Sequence, residues 1–302
     1  MRSPGYSALL VRLLTVTALT GVVIGWSQPD GDSSLQIVGR GVISTEAPEF
    51  ATSLTPDGGE IYFNRASADR STLRIMTARR TGDNGWTTPV VAAFSGEHRD
   101  VDPFVAPDGR RLYFSSDRPR RAGSEPRFAT WYVERRGDGW GAPIDPGAPL
   151  NSETGEVFVS AARDGQLLFS SNRTGPPRIF SARPAEGRWE TPRPVTFGTV
   201  VDAGNPAIAP SGRFAVFVRT PSGGAAELHA SCRNGDAWTE PRALTPAVNS
   251  PFADFAPSID AGERFLYFTS ERPGIAGPVP AGARPPGDLY RIGLAEAGVR
   301  CP

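Results

Sequence analysis

The chain has 302 residues, carries 34 Gly and 30 Pro, and balances 32 basic against 32 acidic side chains. Every basic residue is Arg, so there is no Lys for a P-loop, a Schiff base or a lysine general base, and the zero net charge offers no excess to neutralise nucleic-acid phosphates. Abundant Gly, Pro, aromatic and β-branched residues without a long helical period predict many short strands joined by tight turns.

The first 27 residues place Arg2 and Arg12 ahead of or within an apolar stretch whose uncharged run, Leu13 to Trp26, ends near Gly25 and Ser27. This pattern reads as a secretory signal peptide, because a spanning helix needs about 20 apolar residues. An uncleaved anchor starting nearer Ala8 is the other reading. Residues 28–34 then form a linker, and "LQIVGRGVIST" over 35–45 is a strand standing alone.

Beyond it the chain repeats itself. Four copies of Trp-x-x-Pro begin at Trp86, Trp140, Trp189 and Trp238, spaced 54, 49 and 49 residues apart. Ahead of each lies a polar turn and a strand ("LRIMTARR", "WYVERR", "RIFSARP", "ELHASCR"). Earlier still come "EIYFNR", "RLYFSSDR", "LLFSSNR", "FAVFVR" and, in a fifth unit, "FLYFTSER", each after a Gly turn. One period is thus four antiparallel strands, a propeller blade. The all-β expectation is a single β-propeller of five four-stranded blades over 35–294, with 295–302 as a C-terminal tail. Six blades would need another fifty-residue unit, and no such stretch remains. The fifth blade ends after "DLYRIGL" without an outer strand, so residues 35–45 are expected to supply it and close the ring.

These phrases resemble the WD40-like PD40 repeats of TolB-like propellers from bacterial envelopes. "APDGRRLYFSSDRP", "RDGQLLFSSNRTG" and "IDAGERFLYFTSERPG" carry the Gly turn, Phe and Ser-x-Arg, whereas blades one and four lack the Ser before Arg65 and Arg219. The resemblance covers about Thr45 to Leu294 and implies the fold together with a periplasmic or secreted, non-catalytic, protein-binding role. The extra α/β domain that precedes the family namesake's propeller has no room here, so nothing that depends on it carries over.

Two loops between second and third strands are long, 119–130 and 273–287, and predict a binding face, since functional residues ride on loops held by a rigid scaffold. Carboxylates gather where the inner strands start on that face: Glu49, Asp100, Asp102, Glu156, Asp202 and Asp254. Arg65, Arg118, Arg173, Arg219 and Arg272 end the second strands there, one per blade. Two uses are open. The opposite charges brace neighbouring blades, or some carboxylates stay free and bind calcium or a basic group. His98, beside Asp100 and Asp102, could ligate or exchange a proton, while His229 reads as a sheet residue and the repeated Trp residues as packing anchors.

Cys232 and Cys301 are the only cysteines, and in an exported chain they predict a disulfide, with two buried free thiols as the alternative. No Gly-x-Ser-x-Gly elbow, His-Glu-x-x-His or metal-spaced cysteine pair is present. The first functional expectation is therefore a non-catalytic module binding an envelope protein or peptidoglycan-associated partner. It would bind no nucleic acid and touch the membrane only through an uncleaved N-terminus. No cofactor is expected beyond calcium. The second is a glycoside hydrolase using two of Asp100, Asp102, Glu156 and Asp254.

Overall fold

The computed structural model describes residues 35–82, 85–277, 279 and 283–301; the expected signal segment 1–27 and linker 28–34 lie outside them. Five antiparallel sheets follow one another as the blades of a β-propeller. Their inner strands are Glu49–Leu54, Asp100–Val105, Glu156–Ala161, Gly204–Ile208 and Asp254–Ile259. Their second strands are Glu60–Ala66, Arg111–Ser116, Leu167–Ser171, Phe214–Arg219 and Phe265–Ser270. The repeated phrase occupies the second strand because its aromatic residue has to be buried between blades: Phe63, Phe114, Phe169, Phe217 and Phe268 are each at most 1% exposed.

The apolar core is divided accordingly into five clusters, one for each blade-to-blade interface. Burying an aromatic of this size contributes roughly 1.5–3 kcal/mol, so the interfaces, rather than the individual sheets, carry the fold. Polar contacts add direction. Trp140 Nε1 donates to Tyr62 Oη across the first interface at 2.8 Å, and Arg135 bridges it to Glu60 at 3.0 Å.

The outer strands differ from the expectation of one continuous Trp-x-x-Pro strand. In blade one Gly85–Trp86 pairs with the end of the third strand and Val90–Val91 with its middle, with a break between them. Blade four repeats this with Ala237–Trp238 and Arg242–Ala243. The proline of the motif explains the break, since it has no N–H to give the ladder. The Trp side chains pack under arginines: Arg80, Arg135 and Arg233 lie 4.4, 5.0 and 4.3 Å over Trp86, Trp140 and Trp238.

Ring closure uses the start of the chain, as expected, through a strand of only two residues. Gln36 and Ile37 pair with Arg291 and Tyr290 of blade five. Residues 295–301 then run back onto blade four, where Thr245 N donates to Ala297 O at 3.0 Å. Cys301 is disulfide-bonded to Cys232 on the third strand of that blade, 69 residues away in sequence. A loop of that length gives a loop-closure stabilisation of about 4 kcal/mol. Cys232→Ser is expected to lower the unfolding free energy, measured by guanidinium denaturation, by most of that amount. Free alkylation of both thiols in protein purified without reductant would show that the bond does not form.

Candidate functional site

The two sets of charged residues meet in a repeated clasp. Four inner strands begin with a carboxylate whose side chain is 0% exposed: Glu49, Asp100, Glu156 and Asp254. Each receives an arginine at or just beyond the end of the second strand of its own blade, Arg65 at 2.7 Å, Arg118 at 2.8 Å, Arg173 at 2.9 Å and Arg272 at 3.0 Å. Each also accepts from the backbone N–H four residues earlier, at Thr45, Gly96, Ser152 and Ser250. The same arginines donate to carbonyls of the incoming connection from the previous blade: Val42 and Ile43, Phe94, Pro149 and Leu150, Ala247 and Val248.

The Ser-x-Arg signature has its purpose here. Ser116, Ser171 and Ser270 accept from both the backbone N–H and Nε of the arginine two residues on. A carboxylate so enclosed is satisfied and unavailable to a ligand. The arginine braces the connection between blades while its carboxylate belongs to its own blade.

Blade four departs from the pattern. Counting back two residues from the left-handed residue of each inner strand reaches Glu49, Asp100, Glu156 and Asp254, and in blade four it reaches Ala203. Asp202 therefore lies outside, with its side chain 68% exposed and a loose contact of 3.3 Å to Arg219. Arg219 Nε is buried with no partner, and so is Nδ1 of nearby His229. Burial and then the Arg219 charge lower the pKa of His229, which keeps the ring neutral at physiological pH. His98 lies half-buried in the connection into blade two, away from any cluster of three metal-ligating side chains; none exists among the described residues.

Sequence reasoning missed a second repeated device. Each inner strand has a left-handed residue near its start, the third in four blades and the second in blade four: Ala51, Asp102, Phe158, Asn205 and Ala256, with φ between +46° and +57°. At this step the ladder with the second strand shifts register, a bulge that bends the strand at the axis. Four of the freed N–H groups bond to the previous blade: Ala51 to Thr269 Oγ1, Asp102 to Asn64 Oδ1, Phe158 to Ser115 Oγ and Asn205 to Ser170 Oγ, at 2.8–3.3 Å. The signal in the sequence is the proline that follows in three blades, Pro103, Pro206 and Pro257.

Asp102 stands apart from the clasp carboxylates. It is 5% exposed, it faces a section of the central channel lined by all five inner strands, and no arginine pairs with it among the described residues. Its Oδ1 has no hydrogen-bond partner. Burial pushes its carboxyl up to about 8, against lesser opposing effects of the Ser115 hydroxyl and the Phe158 N–H.

On the loop face, the loop over 119–130 borders a groove of about 330 Å³ against the connection into blade three. Arg120 is fixed by Asp145 at 2.9 Å and by the Ser152 carbonyl, and Arg127 donates to the Glu153 carbonyl. In the loop over 273–287, Arg284 and Arg70 meet Glu271 at 2.6 and 3.7 Å, and Ile275 N donates to Asp288. Both loops are thus anchored at their bases to the scaffold.

No model of a known protein family matches the chain, and no curated protein matches it. Solved structures do. A putative TolB from Agrobacterium tumefaciens aligns with a TM-score of 0.53 at 16% identity, over 85% of this chain and 81% of that one. A GH43 endo-arabinanase from Bacillus licheniformis aligns with a TM-score of 0.53 at 12% identity, over 83% and 96%. A gluconolactonase from Xanthomonas campestris reaches 0.51 at 13% identity, over 87% and 90%. At such identities the likeness is one of fold: this chain is a five-bladed β-propeller similar to TolB-like proteins, sharing its architecture with enzymes of unrelated chemistry.

Proposed function

We propose that this protein is an exported, non-catalytic β-propeller that binds a protein or peptidoglycan-associated partner in the bacterial envelope through its loop face. The observation that carries the reading is the clasp. It engages Glu49, Asp100, Glu156 and Asp254 with arginine and backbone, so the carboxylates nearest the channel mouth serve the scaffold. Glycoside hydrolysis needs two working carboxyl groups. Of the four candidates for that chemistry, Asp102 alone has no arginine partner among the described residues, and a lone carboxyl lacks the second member of the pair.

The export half of the proposal rests on the signal-like segment 1–27 and on the cysteine pair, which suits an oxidising compartment. The binding half rests on the anchored loops over 119–130 and 273–287. Crosslinking in envelope extract tests it, comparing the wild type with a variant whose two loops are cut to short turns. Loss of a specific crosslinked partner, with unchanged thermal stability, is the expected result. The same partners captured by the trimmed protein would refute the assignment of that face.

A further inference from the structure

The channel beside Asp102 has features of a small-ion site that the proposed binding role does not use. Residues of all five inner strands line it, and at this level its free volume is about 20 Å³, enough for one water-sized species. Four of the residues that line it carry a side-chain oxygen: Asp102, Thr52, Ser160 and Ser258. Thr52 Oγ1 donates its proton to Tyr62 O, and Ser160 Oγ accepts from Ile208 N, so both oxygens keep a lone pair. Asp102 Oδ1 is buried and unpaired, a state that costs free energy unless something fills it. The symmetry of the ring makes the residue conspicuous. Ala51, Phe158, Asn205 and Ala256 occupy the same left-handed step in the other blades, and blade two alone places an ionisable group there.

We propose that this section of the channel binds one dehydrated monovalent cation of sodium's size, with the Asp102 carboxylate as its charge partner and neighbouring hydroxyl oxygens as neutral ligands. Charge decides between monovalent and divalent. Among the described residues Asp102 is the only ionisable one lining the section, and the groups packed on it from the adjoining strands, Asn64, Ser115 and the Phe158 N–H, are neutral. A single carboxylate cancels a single positive charge, whereas calcium would leave one uncompensated in a buried site and seeks six to eight oxygens. The proton is the natural competitor. A proton on the carboxylate removes the charge partner, so sodium binding is expected to weaken as pH falls.

Thermal unfolding of the full chain tests this in sodium chloride and choline chloride at equal ionic strength, at pH 9 and pH 6, with Asp102→Asn and Asp102→Ala alongside. Asn205 and Ala51 show that both residues are accommodated at this step. The expected result is a higher Tm in sodium than in choline at pH 9, shrinking at pH 6 and absent from both variants. Equal Tm values in the two salts at pH 9 overturn the proposal, as does a sodium effect that survives in both variants. A calcium response that exceeds sodium's and depends on Asp102 overturns the monovalent assignment.

Discussion

Replacing Glu156 with Ala is expected to lower the stability of the propeller by about 3–5 kcal/mol, the range for breaking a buried ion pair from one side. The carboxylate is fully buried and takes hydrogen bonds from Ser152 N and Oγ, from Ser171 Oγ and from Arg173. Its removal strands the Arg173 guanidinium, 13% exposed, with a positive charge held by two carbonyls, a serine hydroxyl and the rings of Phe169 and Phe180 but by no carboxylate. Glu156→Gln keeps the volume and part of the hydrogen bonding, so its cost should be smaller, about 1–3 kcal/mol. Asp202→Ala supplies the contrast. Its side chain is 68% exposed and meets Arg219 loosely, so a change within about 0.5 kcal/mol is expected. Equilibrium denaturation in urea measures all three; equal losses at Glu156 and Asp202 would refute the clasp as the source of the difference.

The fold was legible because the chain states it five times. An aromatic strand after a Gly turn, repeated at about fifty residues, leaves few architectures other than a ring of blades, and the missing outer strand pointed back to residues 35–45. The site was legible only as a list. Asp202 was grouped with the buried carboxylates because it lies one residue from their position, but a slip of one residue in an extended chain turns the side chain to the other face. Ala203 points inward instead, and Asp202 is left to solvent. The opposite error affects Asp100 and Asp102. Strict alternation puts residues two apart on the same face, which makes the pair look equivalent. The left-handed step at Asp102 breaks the alternation, so Asp100 goes to Arg118 and Asp102 goes to the channel. Nothing in residue type distinguishes the two; only the proline that follows Asp102, echoed at Pro206 and Pro257, hints at the bulge.

The same five-fold comparison explains how charged residues around the axis serve the scaffold. Each blade must hold the connection arriving from its predecessor, and that connection presents carbonyl oxygens with no strand partner. An arginine satisfies two of them in blades one, three and five and one in blade two, and a carboxylate beneath it neutralises the charge. Blade four lacks the carboxylate and shows the consequence, an unpartnered Nε on Arg219. It retains its place in the ring through the apolar interface around Phe197, Phe217 and Trp238 and through the disulfide to the tail.

Asp102→Asn is expected to stabilise the protein at neutral pH. The sign follows from where the proton sits. The carboxyl is raised from its ordinary 3.8 to about 8 by burial, so between those values the folded chain holds a proton that the unfolded chain has released. Unfolding then gives off a proton, and stability falls as pH rises through this window, by about 1.4 kcal/mol per pH unit. By pH 7 the accumulated loss approaches about 4 kcal/mol. An amide is neutral throughout, fits the carboxyl's volume, and is tolerated in the left-handed region, where blade four already carries Asn205 at φ +47°. In choline buffer at low ionic strength the variant should match the wild type near pH 4 and exceed it increasingly toward pH 8, with a flatter profile across the window. If the two profiles run parallel from pH 4 to 8, Asp102 titrates as an ordinary carboxylate, and its burial in the channel wall does not govern its charge.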